Sequence, residues 1–228
     1  VALYALLRFK MLMAANPGAL APGPLMVTMG LGSLIFAAFM LYRRRDIKRM
    51  FAYSSIEHMG IIVFAFGMGG ALANFAGLLH MVAHSLTKSA IFFAVGHVAQ
   101  VTGTQKIAEI RGLTTSHPLL GWGLVLGVVA IAGLPPLGIF MSEFLLVTTT
   151  FSRAPLLALL LAAGLLLALG ALLWRLGGLA FGPPAPGLAP LGASCLPMYA
   201  HLGLVAMAGL YLPPPLVRWF QSVAALLG

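Results

Sequence analysis

His80-Met81-Val82-Ala83-His84-Ser85-Leu86-Thr87-Lys88 lies inside one of the most apolar regions of a 228-residue chain. His80, His84 and Lys88 are spaced four apart, so on a helix they drift by about 40° per step and share one face. From His80 to Lys88 the rise is roughly 12 Å, a large part of a bilayer core of about 30 Å. A charged side chain at that depth costs roughly 2.5–3.5 kcal/mol, so three ionisable groups there imply a use. A file of protonatable groups along a membrane axis is what a proton path requires.

Composition supports the membrane setting. The chain is 61% hydrophobic and only 7% charged, with a mean hydropathy of +1.04. A soluble domain carries about 25% charged residues, and no soluble core could absorb this much apolar surface. The expected fold is an all-α integral membrane protein, a single membrane domain over residues 1–228. The net charge of +9 does not point to nucleic acid. Five of the 13 Lys and Arg residues fall in Arg43-Arg44-Arg45-Asp46-Ile47-Lys48-Arg49, between two apolar runs, where they act as a topological anchor rather than a phosphate stripe. Cys195 is the single cysteine and forms no internal disulfide.

Hydropathy and turn residues predict about six full transmembrane helices plus one truncated helix. Val1 to about Ala15 reads as the end of a helix whose beginning is absent, so an N-terminal part is expected to be missing. Asn16-Pro17-Gly18 and Ala21–Pro24 make a turn. The full spans are expected at 24–42, from Tyr53 to Gly70, at 72–99, within 119–150, at 155–176 and at 198–212. Loop 43–49 follows the first of them, 100–118 is a polar loop, 177–197 is irregular, and 216–228 is an interfacial anchor. Pro135 and Pro136 remove two backbone donors, which predicts a broken helix. Breaks of this kind at membrane depth line protein or water and mark ion sites. With loop 43–49 on the cytoplasmic side, that side carries Arg43, Arg44, Arg45, Lys48, Arg49, Lys106, Arg111 and Arg175, against Arg8, Lys10, Arg153 and Arg218 opposite, in the sense of the positive-inside rule.

Each ionisable residue has a plainer explanation. Lys88 could snorkel to a helix end, but its span continues for about 11 residues beyond it. His80 and His84 could be hydrogen-bonded core histidines; their register with Lys88 favours a path, since neutral imidazole accepts at one nitrogen and donates at the other. Glu143 follows the proline break by about two turns and could pair with the exposed helix terminus or alternate between charged and neutral states. Glu57 and His58 are placed a turn or two inside the membrane, where His58 caps or hydrates the helix mouth. Lys48 could end a path at the cytoplasmic mouth. The proton-path set is therefore Lys88, His84, His80, Glu143, His58, Glu57 and Lys48. No Cys cluster, Gly-rich phosphate loop or zinc-binding His-Glu-x-x-His pattern occurs, so no cofactor, metal or catalytic redox centre is expected in this chain.

Four segments occur in order: Asp46-Ile47-Lys48-Arg49, Ala52 to Gly60, His80 to Lys88, and Gly133 to Phe144. Together they resemble the antiporter-like membrane subunits shared by respiratory complex I, Mrp-type cation/proton antiporters and membrane-bound group 4 hydrogenases. The wording of Phe51–Gly60 and Leu134–Leu145 is most similar to the hydrogenase-4 component F branch, of the formate hydrogenlyase type. The resemblance implies inverted helical repeats with a broken helix in each, this chain being the C-terminal half. It implies that Lys88 is the central path lysine, His80 and His84 its hydrated neighbours, and Glu143 the terminal path residue.

The implied function is a proton-translocating membrane subunit of a hydrogenase-4 or complex I-like oxidoreductase in the inner (plasma) membrane. Its expected partners are other membrane subunits, a peripheral hydrogenase or redox arm, lipid and protons. One alternative is an Mrp-type cation/proton antiporter subunit without redox partners. Another is a haem held by two of His58, His80, His84 and His97, although Lys88 on the same face is a poor neighbour for iron.

Overall fold

The computed structural model describes residues 1–16 and 18–228. Pro17, in the turn expected at 16–18, lies outside the described residues. The described residues form ten α-helices and no β-sheet beyond an isolated bridge between Asp46 and Lys106.

Helix starts follow proline and cap chemistry. Proline occupies the first turn of α2 (Pro22–Arg43), α6 (Pro118–Ile131), α8 (Pro155–Ala180), α9 (Leu196–Leu210) and α10 (Pro214–Leu226), where its missing N–H would lack an intrahelical partner anyway. Helix α3 (Ile47–Met68) begins at Asp46, whose carboxylate accepts the Arg49 N–H at 2.8 Å. Helix α4 (Ala71–Thr102) starts after Gly69 and Gly70 and ends at Gly103, all with positive φ. Its 32 residues make a rod of about 48 Å. The remaining elements are α1 (Ala2–Ala14), a 3-10 turn at Ile107–Glu109, the short α5 (Leu113–Ser116) and α7 (Gly138–Arg153).

Helix α4 is the axis of the molecule, packed against α3, α6, α7, α9 and α10. Helices α2 and α3 lie flush along a seam of glycines. The α-carbons of Gly30 and Gly60 face the opposite backbone so closely that a Cβ on Gly30 would sit 2.5 Å from Phe64 N. Small residues at such a crossing are how membrane helices approach without a hydrophobic driving force. Leu156, Leu159, Leu160 and Leu166 of α8 are exposed, which is the pattern of a lipid-facing surface.

Helices α2, α3, α4 and α8 are each long and apolar enough to cross a membrane; α9 and α10, bent by 75° at their junction, make a fifth if taken together. Four of the six expected spans fall on these single helices; the one expected within 119–150 is divided between the shorter α6 and α7, and the one expected at 198–212 is the 15-residue α9. The expected break at Pro135-Pro136 is present, separating α6 from α7 at residues 132–137. Three boundaries move. Helix α3 begins at Ile47 rather than Tyr53, so Lys48 and Arg49 belong to its first turn and not to a loop, because Asp46 supplies the cap. Helix α8 runs on to Ala180 and α9 starts at Leu196, shortening the irregular stretch expected at 177–197. The tail expected as an interfacial anchor is helical, and one face of it is buried on α4: Phe220 is in edge contact with Phe75 at 5.8 Å, while Trp219 stays exposed.

The charges sort to two ends. Ile47 N bonds Gln105 O and Ile107 N bonds Arg45 O, both at 2.9 Å, and Arg175 donates to the Tyr42 carbonyl. Residues 43–49, 104–111 and Arg175 thus share one end. At the other, Lys10 donates to Leu227 O and Arg153 to Gly69 O.

Candidate functional site: a buried histidine, lysine and carboxylate chain

Helix α4 presents His80, His84 and Lys88 along one buried face, at 1%, 5% and 6% exposure. The four-residue spacing does what the sequence requires of it. The partners across this face come from α3 and α7.

Lys88 Nζ donates to the Phe51 carbonyl of α3 at 2.7 Å and lies 5.6 Å from the Phe51 ring centre. Among the described residues no carboxylate is in direct ion-pair contact with it. Its head therefore faces the first turns of α3, toward the basic end. Lys48 is exposed in that first turn, one turn before Phe51, and among the described residues its side chain makes no ion pair with the buried groups.

His58 occupies the centre of the cluster. It is fully buried, and its Nδ1 lies 2.9 Å from His80 Nε2. Its ring stacks on that of His80 at 5.1 Å and on that of His84 at 5.2 Å. The expectation that His58 sits at a helix mouth is corrected. With α3 starting at Ile47, Glu57 and His58 lie roughly 17 Å along the helix from its cap. His80 Nδ1 meets Ser142 Oγ at 2.9 Å; according to the tautomer, the hydroxyl either donates to the imidazole or accepts from it and donates to the Ile139 carbonyl. Ser142 is a site residue that the sequence reading missed. Its one cue was a hydroxyl beside Glu143 just beyond the break.

Glu57 and Glu143 face each other across a cavity of about 220 Å³, walled by Ile131, Ala132, Phe140 and Leu169 among others. Glu143 is half-buried. Its carboxylate lies against the α-carbon of Gly133, at the position a Cβ there would fill. Gly133 has φ +67, a left-handed conformation that glycine adopts without cost. The break therefore shapes the carboxylate's seat. Glu57 Oε2 is 4.0 Å from His58 Nε2, too long for a direct hydrogen bond. Glu57 Oε2, His58 Nε2 and His84 Nε2 are buried atoms without a protein partner. Unpaired polar atoms are rare in native interiors.

Six of the seven sequence-selected residues thus lie in one buried assembly that links α3, α4 and α7, with Lys48 at its basic end. His58, His80 and Glu143 each offer a ligand atom within 4.8 Å of the others. The direct bond between the two imidazoles already occupies one nitrogen of each, and Ser142 takes the other nitrogen of His80, so these histidines form a hydrogen-bonded pair beside Glu143 rather than an ion cage. Among the described residues His97 makes no hydrogen bond or ring contact with this group.

The profile of the family described as NADH:quinone oxidoreductase/Mrp antiporter, transmembrane, matches residues 1–169. The chain is 64% identical over 227 residues to a hydrogenase-4 component F homolog of Methylacidiphilum infernorum, covering 100% of this chain and 48% of that protein. Its fold is similar to a chain of the archaeal membrane-bound sulfane sulfur reductase, a respiratory membrane complex (TM-score 0.86, 24% identity, 99% of this chain and 46% of that one). It is also similar to a chain of the Mrp complex of a Dietzia species (TM-score 0.85, 17% identity, 99% and 51%). The chain spans about half the length of the relatives it matches.

Proposed function

Because the chain belongs to the NADH:quinone oxidoreductase/Mrp antiporter transmembrane family, we propose that it is the proton-conducting part of a membrane subunit of a hydrogenase-4 or complex I-like oxidoreductase. The single observation that carries this reading is the buried file in which hydrogen bonds join Ser142, His80 and His58, the His58 ring lies against that of His84, and Lys88 follows one turn further along α4. A neutral imidazole can accept at one nitrogen and donate at the other, and Lys88 reaches the first turns of α3 at the basic end. The 64% identity to a hydrogenase-4 component F homolog supports the hydrogenase branch over a free-standing cation/proton antiporter.

In this reading Glu143 and Glu57 exchange protons through the cavity they share, which is roomy enough for several waters at about 30 Å³ each. A proton passed to His58 moves along the imidazoles to Lys88, and Lys88 releases it toward Phe51 and Lys48. Electron transfer in a partner arm drives the cycle, and other membrane subunits complete the path. The surrounding membrane is the plasma membrane, with residues 43–49 on the cytoplasmic face.

Charge neutralisation in the complete complex tests this. Lys88→Ala and Glu143→Gln should each abolish proton movement into inverted vesicles while the complex still assembles. Unchanged coupling in both overturns the assignment. Sodium-dependent proton movement in vesicles without any redox partner would mark the antiporter reading instead.

A further inference from the structure

The basic end of the molecule carries more positive charge than it pairs. Asp46 is engaged as the cap of α3, and Glu109 is held by Lys106 at 3.0 Å and Thr104 at 2.7 Å. Among the described residues no acidic side chain forms an ion pair with Arg111 or Arg175. These two arginines line one cavity of about 550 Å³, together with Ile107, Ala108, Trp174 and Gly178.

The cavity has two kinds of wall. Arg175 is pinned: its guanidinium stacks on the Trp174 ring at 4.4 Å and donates to the Tyr42 carbonyl at 2.5 Å. Its Nε is buried with no acceptor. Trp174 is 61% exposed and continues the apolar outer face of α8, where Leu173 and Leu166 are also exposed. Aromatic side chains of this kind settle at the boundary between acyl chains and headgroups. A second cavity, lined by Arg43, Arg44, Arg45, Arg49 and the capping Asp46, lies just past Tyr42, and among the described residues the buried Arg44 Nε has no acceptor. The local field favours an anion.

We propose that the Arg111–Arg175–Trp174 cavity holds the headgroup of an anionic phospholipid. The phosphodiester oxygens accept from the guanidinium forks, whose geometry matches phosphate, and the acyl chains run along the exposed leucines of α8. Free phosphate would satisfy the arginines but make no use of the adjoining apolar wall of Trp174 and the leucines. Basic pockets between helix ends are where such lipids are held.

The test uses the complete complex, purified in detergent and stripped of lipid. Mixed micelles containing phosphatidylglycerol should leave lipid bound, counted by native mass spectrometry, and should raise the melting temperature. Phosphatidylcholine micelles and sodium phosphate should do neither. Arg111 is exposed and makes no protein hydrogen bond, so Arg111→Gln should fold normally and weaken phosphatidylglycerol retention on the order of tenfold. Arg175→Lys should weaken it similarly while keeping the charge, because the fork is lost. Equal retention by Arg111→Gln and the parent overturns the proposal. So does stabilisation by sodium phosphate alone, which marks a free-anion site. Loss of a neighbouring subunit from Arg111→Gln with lipid retention unchanged also overturns it, by assigning the arginine to a protein partner.

Discussion

His58 of α3 and His80 of α4 share a hydrogen bond of 2.9 Å across 22 positions of sequence, and the other nitrogen of His80 meets Ser142 at the same distance. An imidazole engaged at both nitrogens is fixed in orientation, and a proton accepted at one nitrogen is released from the other. Three helices are thereby joined through a single ring.

Ser142→Ala should leave His80 Nδ1 buried without a partner. The loss costs about 1–3 kcal/mol and frees the ring to turn. Slower proton movement is expected, with Ser142→Thr restoring part of it by returning the hydroxyl. Vesicle proton uptake and thermal melting of the same preparations check this. Unaltered uptake in the alanine variant would remove Ser142 from the relay.

Gly133→Ala should disturb Glu143 without touching it chemically. The new methyl would occupy the place of the carboxylate, and the left-handed φ of +67 adds strain of about 1–2 kcal/mol. Coupling should fall toward that of Glu143→Gln. The comparison is made on complexes shown to contain equal amounts of the subunit.

Gly30→Ala should destabilise the fold, whereas Gly32→Ala should not. At position 30 a methyl would meet Phe64 N at 2.5 Å and Gly60 O at 2.6 Å, both rigid backbone; at position 32 nothing lies within 4 Å. Overpacking of the first kind costs about 1–3 kcal/mol, while alanine in an open helical site gains about 0.5–1 kcal/mol over glycine. Melting curves of the two variants should therefore shift in opposite directions.

The loop joining α4 to α5 should respond to acid through Glu109. The Thr104 hydroxyl and the Lys106 ammonium hold its carboxyl below the usual carboxylate range. A depressed carboxylate contributes its stabilisation fully above its unfolded value, near pH 4.3, and loses it as pH falls through the lower folded value. Infrared titration of the carboxyl band should show a component protonating below the ordinary glutamate range. Glu109→Gln should delete that component.

The His80, His84 and Lys88 face was legible in the sequence because a four-residue spacing needs only helical geometry. The break was legible because two prolines cannot sit inside an α-helix. His58 was misplaced for a local reason: the polar stretch Arg43 to Arg49 reads as loop, and the cap at Asp46 that begins the helix there is one carboxylate among five cations. Ser142 and the Phe51 carbonyl were out of reach. A hydroxyl and a backbone oxygen acquire their roles only when α3, α4 and α7 are packed, and no periodicity encodes that crossing. Gly133 was visible as a turn residue, but its contact with Glu143 was not.

The glycine seam between α2 and α3 bears on what can move. Where two backbones touch without intervening side chains, neither helix can slide without lifting off the other, so the pair behaves as a double beam. His58, Glu57 and the Phe51 carbonyl are mounted on that beam. Glu143 and Ser142 are mounted on α7, a 16-residue helix set off from α6 by the non-helical stretch 132–137. If charge on the buried relay alters the helix arrangement at all, the compliance belongs to α7 and the beam is its fixed abutment.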